Sequence, residues 1–243
     1  VHTHNGDSTK ATNEKALNYL ARKPLLNMDM LEGIRRGEAE LLQVSELGVL
    51  LFHTACKTYM ISTDREETAA LMIASIPAAD LIVAHQDFYV PQVRHKFTLS
   101  KMITVHQAAY PHGEPFPEPE LPFAILPLDE RHLDFVHHHY SHPAEKDYLL
   151  ERLRSGVMLG AFTEGRLAGF IGMHTEGTIG MLEVLPEFRR RGIAEALEIR
   201  MINRCLAQGF TPFAQVAPDN TASLTLQRKL RFTLSEETVL WFY

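Results

Sequence analysis

Three consecutive arginines, Arg189, Arg190 and Arg191, stand before Gly192 in the stretch "LEVLPEFRRRGIAEAL" (182–197) of a chain whose net charge is −6. The apolar run ahead of them reads as a strand ending at Leu185, and the run after them as a helix beginning near Arg191. The first turn of a helix has N–H groups without internal partners and lies at the positive end of the dipole. A neighbouring glycine lets an anion approach that backbone, and arginines add charge-assisted hydrogen bonds. Basic side chains at this end oppose the dipole by about 0.3–1 kcal/mol each, so a bound anion is the natural offset. The pattern by itself also admits a solvated basic turn. Within the strand that precedes this loop, Glu183 is a carboxylate between Leu182 and Val184, pointing to the opposite face from both. It is the first candidate for a general base, because an amine nucleophile must lose a proton. An exposed strand residue or an arginine partner is the alternative, and His174 and Glu176 are weaker candidates for the base.

Arg189-x-x-Gly192-x-Ala194, preceded by Val184-x-Pro186, resembles the acyl-CoA-binding motif of the GNAT superfamily of N-acyltransferases. The stretch "NTASLTLQRKLRF" (220–232) is similar to a second motif of that family, and the expected order of elements from 129 to 243 is similar to its fold. More loosely, the whole chain resembles the two-lobed glycine N-acyltransferase-like branch. The resemblance implies that backbone amides from Arg190 to Glu195, through Ile193 and Ala194, hold the pyrophosphate of coenzyme A. It implies that the backbone of Leu182 to Leu185, Val184 included, binds the pantetheine arm and polarises the thioester. Asn220 is a helix cap on its own pattern and a cofactor contact by resemblance, with Ser223 beside it. The implied cosubstrate is acetyl-CoA, attacked directly by an amine on a small molecule or a protein, with no metal.

Two positions depart from the family pattern. Gln227 stands where many members carry a tyrosine general acid, which leaves Ser223 or water to protonate the thiolate, or a thiolate that departs without acid help. Arg231 stands where a glycine usually precedes the phenylalanine, here Phe232, and a left-handed turn is costly for arginine. Gln227 also favours a second reading, a CoA-binding regulatory or interaction module without turnover.

The histidine-rich "FVHHHYSH" (135–142) places His138 and His142 four apart, a metal-binding spacing if both lie on one helix. No acidic or cysteine partner accompanies them, so acceptor-pocket lining by His137 to Tyr140 or a solvated face is the simpler expectation.

The elements that must position these groups form a mixed α/β chain of 243 residues, with 45% hydrophobic and 22% charged residues. A Pro- and Glu-rich segment, 112–123, is expected to be a semi-rigid connector between two lobes. The first, 1–111, reads as a degenerate GNAT-like lobe, and the second, 124–243, as the GNAT domain. In the first, the helical region is expected through Met30–Leu42, and a helix broken at Pro91. Its strand–helix junction, "YMISTDREETAAL" (59–71), carries Asp64, Glu66 and Glu67, which satisfy a helix start and repel a pyrophosphate. Net acidity argues against a nucleic-acid partner. No run approaches the roughly 18 apolar residues of a membrane span. Cys56 and Cys205 are expected as separate thiols of a cytoplasmic protein. The terminal "VLWFY" completes a sheet or meets a second copy in a homodimer, core packing being the simpler choice.

Overall fold

The computed structural model describes residues 4–118, 120–142 and 144–243, with side chains from Lys10 onward. Pro119, in the expected connector, and Pro143 lie outside the described residues. The first half contains α1 (His4–Leu20), α2 (Met28–Arg35), β1 (Ala39–Ser45), β2 (Gly48–His53), β3 (Thr58–Thr63), α3 (Glu66–Ser75), β4 (Ile82–Ala84), α4 (Val90–Lys96) and β5 (Met102–Ala109). The second contains β6 (Ala124–Pro127), α5 (Leu133–His139), α6 (Lys146–Arg154), β7 (Leu159–Thr163), β8 (Arg166–Met173), β9 (Ile179–Val184), α7 (Ile193–Ala207), β10 (Phe213–Val216), α8 (Thr221–Lys229) and β11 (Thr233–Phe242).

The chain divides into two compact units. One comprises 1–109, 215–225 and 233–243, the other 110–214 and 226–232. In the first unit a seven-stranded sheet has the order β1-β2-β3-β4-β11-β5-β10. Alternation along its strands builds two cores. Val49, Leu51, Met60, Val83, Val239 and Trp241 pack with Leu20, Met30 and Leu31 of α1 and α2. Leu50, Ile61, Ile82, Leu240 and Phe242 face the other way, onto Met72 of α3, Val93 of α4 and Tyr89 at the N-cap of α4. Burial on both faces is why "GVLL", "LIVA" and "VLWF" read as unbroken apolar runs.

Three expectations change here. The helix through 30–42 stops at Arg35, because Gly37 turns the backbone left-handed (φ +72°). The residues after it, Ala39–Ser45, pair antiparallel with β2. Pro91 breaks nothing, since it lies in the first turn of α4, where its missing N–H has no internal role. The last strand, expected in the C-terminal lobe, pairs instead with β4 and β5, register Trp241↔Val83 and Trp241↔Ile103.

The second unit is an antiparallel sheet of order β6-β7-β8-β9. Leu128, Val136, Leu149, Leu153, Met158, Phe170 and Met181 form a core under α5 and α6. α7 packs on β7, β8 and β9 and buries Ile193, Leu197, Met201, Ile202 and Cys205. The expected connector packs on α7. Asn203 of α7 accepts from the Phe116 N–H at 2.8 Å and donates to its carbonyl at 2.9 Å, and Arg200 pairs with Glu118 at 2.6 Å. Neither Cys56 nor Cys205 forms a disulfide among the described residues. No helix among the described residues is long and apolar enough to cross a membrane.

Phe242 is fully buried in β11, so Phe242→Ala should lower stability by about 3–5 kcal/mol. Hydrogen exchange of β4 and β5 amides should accelerate with it. Unchanged protection there would mean that β11 is not seated between those strands.

Candidate functional site

β9 is the last strand of its sheet, so among the described residues one of its edges has no strand hydrogen-bonded to it. Leu185 donates its N–H to the Ala168 carbonyl at 2.9 Å, and Glu183 is opposite Phe170. Val184, between them, therefore turns its N–H and C=O away from β8. That carbonyl accepts from Arg189 Nε at 3.1 Å. Higher on the strand the register slips between Phe170 and Gly172 of β8, and Met181 sits at φ +52°. This is a β-bulge, which bends a strand and re-aims the side chains after it.

After Leu185 the chain makes a short 3-10 turn, Pro186–Phe188. Phe188 is buried and lies between two guanidinium groups, those of Arg166 and Arg191, at 5.3 and 5.4 Å from its ring. Arg191 also donates to the Glu187 carbonyl at 3.0 Å. These contacts pin the base of the basic loop. Arg190 and Gly192 both adopt left-handed backbone (φ +61° and +77°). Gly192 is the N-cap of α7 and caps with no side chain. Its carbonyl accepts the first helical bond, from Ala196 at 3.0 Å. The N–H groups of Ile193, Ala194 and Glu195 belong to the turn that has no internal acceptors. A Cβ added at Gly192 would meet nothing within 4 Å, so the approach to those amides is open. The only acidic residue of that turn, Glu195, is tied to Lys229 Nζ at 2.5 Å.

On the other side of β9, Glu183 Oε1 accepts the Ser141 N–H at 2.9 Å and also its hydroxyl. Tyr140 is next to that serine, its hydroxyl pushed up to about 12 by burial and then by the charges of Glu183 and Glu176. Burial likewise raises the Tyr148 hydroxyl, which lies 2.8 Å from His174 Nδ1. Glu176 accepts from Thr178 at 2.6 Å. Glu183, Glu176, His174 and two tyrosines thus share one neighbourhood. α5 ends at His139 and Tyr140 is extended, so His138 and His142 are not neighbours on a helix as their spacing suggested. Among the described residues, no group of three or more His, Cys, Asp or Glu could hold a metal ion.

Residues 156–241 match the family model described as FR47-like protein. Among curated proteins none matches this sequence. Solved structures resemble nearly the whole chain. One is a Drosophila protein, 16% identical, with 96% of this chain and 95% of that one covered and a TM-score of 0.68. A GNAT-family acetyltransferase from Colwellia psychrerythraea is 14% identical over 98% and 95%, TM-score 0.53. A GCN5-related N-acetyltransferase from Sphaerobacter thermophilus is 14% identical over 96% and 93%, TM-score 0.55. The chain has a GNAT fold.

Within this GNAT fold the remaining expected site residues behave differently from one another. Asn220 caps α8, its Oδ1 accepting the Ser223 N–H at 3.0 Å. Both residues group with the first unit, whereas 182–195 lie in the second. Gln227 is buried and donates to Glu198, so it faces the interior. Arg231 keeps the turn that glycine usually makes, at φ +62°. Its guanidinium donates to the Tyr110 hydroxyl at 2.9 Å and lies 5.0 Å from the Phe116 ring, which offsets the strain. Ser141 and Tyr148 join the site without a signal in the sequence. Ser141 sits in the histidine-rich stretch without being one of its histidines, Tyr148 has no motif around it, and only the fold brings them to Glu183 and His174.

Gly192→Ala meets no atom, so its effect isolates the backbone. It should destabilise by about 1–2 kcal/mol, the penalty of a left-handed L-residue. Urea denaturation reads this, and an unchanged midpoint would mean that the loop adopts another conformation.

Proposed function

We propose that this chain is an acyl-CoA-dependent N-acyltransferase that moves an acetyl group from acetyl-CoA to an amine of a small molecule or protein. The observation that carries the reading is the run from the unpaired edge of β9 into the open, glycine-capped first turn of α7, beside three arginines. Edge amides, a bare helix start and guanidinium groups suit an extended amide-containing arm that ends in a pyrophosphate.

In this reading the amides of Arg190 to Glu195 and the arginine side chains hold the pyrophosphate. The outward N–H of Val184, with the backbone of Leu182 before it, is offered to the pantetheine arm. A fixed N–H of this edge polarises the thioester carbonyl as negative charge develops on its oxygen. The amine nitrogen attacks the thioester carbon, the carbon–sulfur bond breaks and coenzyme A leaves as thiolate. Glu183, oriented by the two donors of Ser141, takes the proton that the amine loses. Solvent supplies the proton to the thiolate, because Gln227 is turned inward. Tyr140, Tyr148 and His174 border the acceptor.

The inward Gln227 also supports a second reading, a CoA-binding regulatory module without turnover. Calorimetric titration with acetyl-CoA, followed by a free-thiol assay against a pooled amine library, separates the two. Thiol release dependent on an amine supports the enzyme, binding without release supports the module, and no binding overturns both.

Gly192→Asp should weaken coenzyme A binding by at least about 1.5–3 kcal/mol, the worth of one charge-assisted hydrogen bond. Unaltered affinity would remove the loop from the site. Glu183→Gln should lower kcat by about 100-fold or more while leaving acetyl-CoA affinity in place. Full turnover in that variant would exclude Glu183 as the base.

A further inference from the structure

Glu198 lies in the middle of α7, only 2% exposed, and faces the Gln227 side chain at the end of α8, itself 3% exposed. Gln227 Nε2 is 2.5 Å from Glu198 Oε1. The other end of the amide, Gln227 Oε1, is buried and has no donor among the described residues. Two faults thus stand side by side. A buried amide oxygen without a donor is costly, and so is a buried carboxylate with one neutral donor and no cation.

One proton removes both. Placed on Glu198 Oε2, it is donated to Gln227 Oε1, and the acid and the amide then each donate once and accept once in a closed ring. The surrounding charges leave this arrangement alone. On α7, Glu195 pairs with Lys229, Arg200 with Glu118, and Arg204 donates to the Gly156 carbonyl. On β8, Arg166 pairs with Glu187, and on β9, Glu183 is held by Ser141. β7 contributes no titratable side chain, and Arg228 of α8 is exposed.

We propose that Glu198 is kept as the neutral acid and that its ring with Gln227 is a proton-operated catch fastening the middle of α7 to the last turn of α8. The catch stands whether or not the loop ahead of α7 binds coenzyme A. Burial pushes the carboxyl from 4.5 up to about 7, with the Gln227 hydrogen bond pulling the other way. Because the folded value is the higher one, the stabilisation is complete below the unfolded value and is lost as pH rises through the folded value. The window runs from 4.5 to about 7.

Carbon-13 NMR of the glutamate carboxyls tests this on the wild-type protein and on Glu198→Gln. In the wild type one carboxyl should titrate near neutrality, with the Gln227 side-chain amide protons shifting at the same midpoint. Both signals should vanish in Glu198→Gln, whose amide can face Gln227 uncharged at every pH. The urea midpoint of the wild type should match the variant's near about pH 4–5 and fall below it near about pH 8. Glutamates that all titrate in the ordinary carboxylate range overturn the proposal on the wild type alone. So does an identical pH dependence of stability in the two proteins.

Discussion

A strand at the end of a sheet leaves every second residue's N–H and C=O without a strand partner, and the candidate site depends on β9 being such a strand. Those groups are expensive to hide and free to bind. The protein limits the exposure in ways visible along six residues. The strand is short, the bulge at Met181 twists it, and Arg189 folds back over the Val184 carbonyl. What remains is an outward N–H at Val184, immediately before the chain turns into α7. The bulge has a further effect on the opposite face. Because one extra residue enters β9 at Met181, Glu183 comes to face Phe170, and its side chain meets Ser141 at the end of α5. One strand therefore offers backbone on its edge and a held carboxylate on its face.

The loop from Arg189 to Gly192 was legible because its logic is local. A glycine, three cations and the change from strand to helix period lie within a dozen residues, and Gly192 does adopt the left-handed cap that its type permits. The order of elements from 129 to 229 was legible for the same reason, periodicity plus stop signals. β11 was not placed correctly, since its apolar run fits any sheet buried on both faces and nothing local selects β4 and β5. β1 was read as the end of a helix because "AELLQVS" lacks strict alternation while its first four residues favour helix. Around Glu183 the partial failure has the same cause. The carboxylate was found from its strand position, but Ser141 lies 42 residues away along the chain. At Gln227 the departure from the family pattern was visible, whereas its partner Glu198 read as one more charge on an amphipathic helix.

The two strand-to-helix junctions show why electrostatics, more than fold, decides the functional reading. α3 follows β3 as α7 follows β9. α3 opens with Glu66 and Glu67 in its first turn, and Thr63 Oγ1 accepts the Arg65 N–H at 3.2 Å. Its own side chains therefore supply the negative charge that the dipole attracts, and a second anion would meet repulsion. α7 is built the other way. Its cap has no side chain, and its one first-turn carboxylate is neutralised by Lys229. Arg189, Arg190 and Arg191 crowd the positive end. Left alone, that arrangement is destabilising, and no side chain at the cap relieves it. Solved structures at 14–16% identity carry the fold of this chain but not its chemistry. These charges, with the open side of Gly192, favour an anion at the start of α7 and disfavour one at the start of α3.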